Sequence, residues 1–131
     1  MSVAHEVAQI LENENFGKLW DSTSWYIAVG EEPEKPDQSI TVYDTPGREP
    51  HYADKVEHPS VQIRVRGSAG DGYLLAATKI SQIKHKLVFN GTFVLSGVDF
   101  VFWAEGGEFW LMNDENRRPI FVLNLRIQRS E

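Results

Sequence analysis

The chain has 131 residues, a formal net charge of −6 and no cysteine, with a pI near 5.2. Disulfides, thiolate metal sites and a cysteine nucleophile are therefore excluded, and the acidic balance argues against gripping nucleic acid through its phosphates, which takes clustered Lys and Arg. Hydrophobic residues at 41% and charged residues at 24% are globular proportions, and the length predicts one domain over residues 1–131.

Residues 3–14 place Val3, Val7, Ile10 and Leu11 at helical spacing among His5, Glu6, Gln9 and Glu12. That predicts a short amphipathic helix, ended by Asn13-Glu14-Asn15 and Gly17. The opening stretch lacks the basic start and apolar run of a signal peptide, and no apolar run reaches the ~20 residues of a membrane helix. The expected compartment is the cytoplasm, or a particle assembled there, with no membrane partner.

SWYIAVG, residues 24–30, reads as a strand, followed by EEPEKPDQ, an acidic loop whose prolines cannot continue a sheet. SITVYD, 39–44, predicts a second short strand, stopped by the turn signal Thr45-Pro46-Gly47. The segment 45–59 then reads as a long loop with Pro46, Pro50 and Pro59. In PSVQIRVRG, 59–67, Val61, Ile63 and Val65 share one strand face, while Gln62, Arg64 and Arg66 share the other. After a glycine-rich connection, Leu74, Ala77, Ile80, Ile83, Leu87 and Val88 predict a longer helix over 73–88, with Lys84 and Lys86 near its C-terminus. Asn90-Gly91-Thr92 matches a glycosylation sequon but reads as a turn. Strands are predicted over 92–95, 100–105, 108–112 and 120–129. In the last, Phe121, Leu123, Leu125 and Ile127 alternate with Val122, Asn124, Arg126 and Gln128. Adjacent strands joined by short turns predict an α+β fold: a mostly antiparallel sheet with both helices packed on one face.

The candidate chemistry is sparse. His5, His51, His58 and His85 show no metal-ligand spacing and read as surface residues. Gly67-Ser68-Ala69-Gly70-Asp71-Gly72 lies between a strand and a helix but matches no phosphate-loop pattern; it reads as a helix entry capped near Asp71 or Ser68. MNDENRRP, 112–119, gathers Asp114, Glu115, Arg117 and Arg118. A metal-dependent hydrolase could use such carboxylates. Neighbours on one hairpin turn do not converge on a metal unaided, however, so a charged connection is the plainer reading. No catalytic constellation and no cofactor site emerges.

The arginine pattern remains. Arg64 and Arg66 alternate on one strand and Arg126 stands on the last, with Arg129 beyond it. If these strands share a sheet, the face opposite the helices carries guanidinium groups. That face is either solvated or set against carboxylates of a neighbour, a role for which the forked geometry of Arg is suited. The acidic loop, with Glu31, Glu32, Glu34 and Asp37, supplies the opposite charge.

The order of three segments resembles the tail-terminator (tail-completion, minor capsid or neck) proteins of long-tailed bacteriophages. These segments are SITVYDTPGREP, then HPSVQIRVRG leading into a helix, then FWLMNDENRRPIFVLNLRIQR, while the aromatic-rich stretch VDFVFWAEGGEFW departs from the family's pattern. The resemblance implies a non-enzymatic virion protein, assembled in the host cytoplasm and sited in the tail-neck region. It implies a homohexameric ring that caps the tail tube, ends tube polymerisation and meets a head-side connector or stopper. DNA would pass through the ring without specific binding. On that reading Arg64, Arg66, Arg126, Asp114, Arg117 and Arg118 are expected at subunit or tube contacts, with Glu31, Glu32, Glu34 and Asp37 forming the opposing patch or the lumen. The loop around Arg48 to Lys55 is expected to order on docking. The alternative is a small acidic α+β module, an immunity or inhibitor protein that neutralises a basic partner.

Overall fold

The computed structural model describes residues 2–22, 25–51 and 56–130, and the side chains of 47–51 and 56 lie outside the description. Helix α1 (Val3–Asn13) opens where the Ser2 hydroxyl accepts the amide of His5 at 3.2 Å, a side-chain cap for an otherwise orphan donor. Its buried stripe of Ala4, Val7, Ala8 and Leu11 packs on the sheet. The strands are β1 (Lys18–Leu19), β2 (Tyr26–Val29), β3 (Ser39–His51) and β4 (Val56–Arg66), then β5 (Phe93–Leu95), β6 (Val98–Ala104), β7 (Phe109–Asn113) and β8 (Pro119–Ser130). Helix α2 (Gly72–Phe89) stands between β4 and β5.

The strand order is β1-β2-β3-β4-β8-β6-β5, with β7 also paired to β8. The β1–β2 and β2–β3 pairings are parallel and the others antiparallel. This is the α+β arrangement expected, with a mostly antiparallel sheet. β6 and β7 run one after the other along the same side of β8, facing its second and first halves.

Period-2 alternation decides what each face carries. Ile40, Val42, Val61, Ile63, Val65, Phe100, Phe102, Leu123, Leu125 and Ile127 are buried against Ile80, Ile83 and Leu87 of α2 and against α1. The opposite face holds Gln62, Arg64, Arg66, Asn124, Arg126 and Gln128.

Several expectations are corrected. The turn signal at Thr45-Pro46-Gly47 does not end the strand, because β3 runs on to His51 and pairs with β4 as a long hairpin. Register shifts between Thr45 and Arg48 and between Arg48 and His51 accommodate the prolines, since bulges tolerate a residue that cannot donate. There the Ser60 hydroxyl bonds the carbonyl of Pro46 at 2.6 Å and lies 2.7 Å from the Thr45 hydroxyl. Of the loop expected to order on docking, residues 52–55 lie outside the described residues, and 48–51 are strand. On α2 the buried stripe is Ala76, Ile80, Ile83 and Leu87, and Leu74 is 74% exposed. Asp71 occupies the N-cap without a side-chain cap bond. Arg129 lies on the helix side, three residues from Arg126 and so on the other face; it grips the buried Glu6 of α1 through two bonds of 3.1 Å.

Candidate functional site

Most of the charge on the outer sheet face is engaged within the chain. Arg66 on β4 is 3% exposed. Its guanidinium donates to the carbonyls of Pro33, Pro36 and Asp37, and lies 3.9 Å from the Glu32 carboxylate. Arg118, which opens β8's approach, is 6% exposed. It donates to the Glu34 carbonyl, to Asp37 at 3.3 Å and to Asp114 at 2.8 Å. Two arginines thus pull the 31–38 loop down over one corner of the sheet. Ala28, Ser39 and Thr41 beneath it are fully buried although they stand on the outward face. The loop's carbonyls need donors once water is removed, and guanidinium groups, each with five N–H bonds, supply several at once.

Electrostatics follow from that packing. Burial and the neighbouring Arg118 charge lower the proton affinity of Arg66. Burial alone would raise Asp114, but bonds from the Arg118 amide and guanidinium and from the Asn116 amide hold it below the usual carboxylate range. Arg64 sits between Glu32 at 3.5 Å, the Gln62 carbonyl oxygen at 2.8 Å and the Tyr43 ring at 5.2 Å. Burial and the Glu32 carboxylate push the Tyr43 hydroxyl up to about 12.

The expected attraction between the arginines and the acidic loop is therefore made, but inside one chain. The Glu32 and Asp37 carboxylates and the Glu34 backbone carbonyl are brought to Arg64, Arg66 and Arg118, and Asp114 is locked to Arg118. Glu31 and Arg117 are exposed and stand apart from that network. Chain folding brings residues 31–38 over β4 because β2 and β3 are parallel neighbours, and their crossover must climb across the sheet. Among the described residues no group of three or more His, Cys, Asp or Glu is placed to hold a metal.

Arg126 differs from the other arginines. It is half-buried on β8 and has no hydrogen bond or ion pair among the described residues. It forms part of the floor of a cleft of about 400 Å³ between the β3–β4 hairpin and β6, walled by Pro46, His58 and Trp103.

The sequence reading gave no role to β7. Phe109, Trp110, Leu111 and Met112 are consecutive and 46%, 47%, 37% and 46% exposed. β7 pairs with β8 on one edge only among the described residues. The same end of the sheet carries exposed Tyr73, Leu74 and Leu75, with the Tyr73 ring 4.9 Å from that of Phe121, the partner of Trp110 in register. The run EFWLMN was legible as a strand without polar alternation, which was the available signal.

A family model described as bacteriophage tail terminator protein matches residues 4–131. The chain belongs to that family. Tail terminators are structural proteins of phage tail assembly, which fits a fold that presents an exposed apolar edge. No curated protein matches this terminator. A solved structure that carries no functional name shares the fold, with a TM-score of 0.58 at 11% identity over 99% of this chain and 98% of that one. In this terminator no described helix is long and apolar enough to cross a membrane.

Proposed function

We propose that this terminator acts as one domain that closes a homohexameric ring on the end of the tail tube, stops tube growth and joins the tail to a head-side connector or stopper. The observation that carries the reading is the exposed edge at β7 and the start of α2. Four neighbouring large apolar residues on a strand paired along one edge only are a liability for a monomer and the mark of an interface. With Tyr73, Leu74 and Leu75 the edge offers on the order of 600 Å² of apolar side chain, at the ~150–250 Å² of an aromatic, near the ~800 Å² per partner of a stable interface.

Charge supports the same use. Copies of a −6 chain repel, so they approach best through a neutral surface. The charges flanking β7 are already neutralised: Glu108 by Lys84 at 3.0 Å and Asp114 by Arg118 at 2.8 Å. A ring needs one patch to meet a different patch on the next subunit. Among the arginines whose side chains are described, the exposed Arg117 and half-buried Arg126 are left for such contacts, while Arg66 and Arg118 support them from within. Glu31 and the outer carboxylates of the 31–37 loop would keep DNA phosphates from adhering as DNA passes. The site in the virion would be the tail neck, after assembly in the host cytoplasm.

The test replaces Trp110 and Met112 with glutamate and follows tail length and ring mass on purified tails, with circular dichroism as the folding control. Overlong or uncapped tails are expected. Normal tails capped by a folded double variant would refute the assignment.

A further inference from the structure

On the outward face of β8, Asn124, Arg126 and Gln128 follow one another at two-residue spacing. The Asn124 carbonyl oxygen is taken by Gln62 at 3.0 Å. Arg126 and Gln128 are half-buried and neither has a side-chain partner among the described residues. Both open into the cleft of about 400 Å³, where the Trp103 ring, 42% exposed, stands directly across from Arg126 in register. The other strand arginines with described side chains, Arg64, Arg66 and Arg129, have carboxylate or carbonyl partners, and Arg118, just before β8, has three. The side chains of residues 47–51 lie outside this comparison.

From this arrangement the geometry points to a carboxylate-binding site: the cleft takes an Asp or Glu side chain presented by an extended segment of a protein partner. The guanidinium offers a planar fork that matches a carboxylate in a bidentate pair. The Gln128 amide adds a donor from the same strand face, and the Trp103 ring supplies an apolar wall for the methylene groups of the entering residue. A nucleic-acid phosphate fits less well. Arg126 is the single arginine or lysine in the lining, enough for one carboxylate but not for a run of phosphates, and the chain as a whole repels polyanions. Ser60, also in the lining, has its hydroxyl committed to Thr45 and Pro46, so the positive recognition falls on Arg126 and Gln128. The site stands on observations separate from the β7 edge and holds whatever the order of the assembly.

The experiment titrates the isolated full chain with a blocked pentapeptide, Ala-Ala-Glu-Ala-Ala, and follows the indole N–H resonance of Trp103, assigned with Trp103→Phe. The same peptide with Gln in place of Glu, inorganic phosphate and a short single-stranded oligonucleotide serve as comparison probes. A saturable shift with the Glu peptide in roughly the millimolar range is expected. It should weaken at least about tenfold in Arg126→Ala, where a charge-assisted pair is lost. It should weaken less in Arg126→Lys, which keeps the charge but not the fork. Arg126 faces outward, so the variants are expected to melt like the parent. Absence of a saturable shift overturns the inference. An equal response to the Gln peptide, tighter binding of phosphate or oligonucleotide, or full binding by Arg126→Ala overturns it as well.

Discussion

Replacing Arg118 by methionine keeps the stem and deletes the guanidinium, so it isolates what the fork holds. The lost bonds run to Asp114 at 2.8 Å, to the Glu34 carbonyl and to Asp37 at 3.3 Å. Breaking a buried ion pair from one side costs about 3–5 kcal/mol. Two features lower that figure. The Asp37 side chain is 54% exposed and so is screened by water, and Arg66 is relieved of a neighbouring positive charge. The Asp114 side chain, at 17% exposure, and the Glu34 carbonyl carry most of the remaining cost. A loss of about 2–4 kcal/mol is expected, equivalent to roughly 1–2 M in the urea midpoint for a chain of this size. The assay is urea unfolding of both proteins at pH 7 and again near pH 2.5. Asp114 has a folded pKa below its unfolded one, so its stabilisation is complete above the usual carboxylate range and lost as pH falls through the folded value. Parent and variant should therefore differ fully at pH 7, and below about pH 4 the gap should narrow towards the part carried by the Glu34 carbonyl, which does not titrate. A midpoint change under about 0.3 M at pH 7, or a gap that persists undiminished in acid, would refute the view that Arg118 holds the turn and the acidic loop together.

Tyr43 should ionise near 12, above the ordinary tyrosine value of about 10. Absorbance titration should show a late step that Tyr43→Phe removes. Its stabilising contribution should be whole below about pH 10 and lost from there to about pH 12, because the folded state holds the proton more tightly; tyrosines titrating together near 10 would contradict this. At Gly67 an added Cβ would stand 2.3 Å from the carbonyl oxygen of Gly72, whereas at Gly70, with φ of +84°, it would meet nothing within 4 Å. Gly67→Ala should cost about 2–4 kcal/mol by forcing strand and helix apart, and Gly70→Ala about 1 kcal/mol from backbone strain alone. Thermal unfolding that ranks the two the other way would refute the close approach.

Patterns that depend on neighbours within a few residues were readable from the chain itself. Val61-Ile63-Val65 and Phe121-Leu123-Leu125-Ile127 identified two inner sheet strands, because side chains alternate with a period fixed by the backbone. The two helices were readable from apolar spacing, and the order of the tail-terminator segments from their succession. The β3–β4 hairpin was not, since two bulges absorb prolines that locally read as a stop. Nor was the choice between Leu74 and Ala76 on α2, as neighbouring apolar residues at a helix start give the spacing no unique face.

For the site, sequence supplied the participants: Arg64, Arg66, Arg118, Asp114 and the 31–37 acids are all identifiable as charges seeking partners. Whether those partners lie in a neighbour or in the same chain is a matter of three-dimensional proximity. Tertiary structure decided it, because the parallel β2–β3 crossover lays the acidic loop on β4 and buries Arg66 and Arg118 beneath it. The same packing left Arg126 and Gln128 without side-chain partners among the described residues and placed the apolar side chains of β7 at an open edge. Exposure is a property of what the rest of the chain covers, and composition carries no record of it.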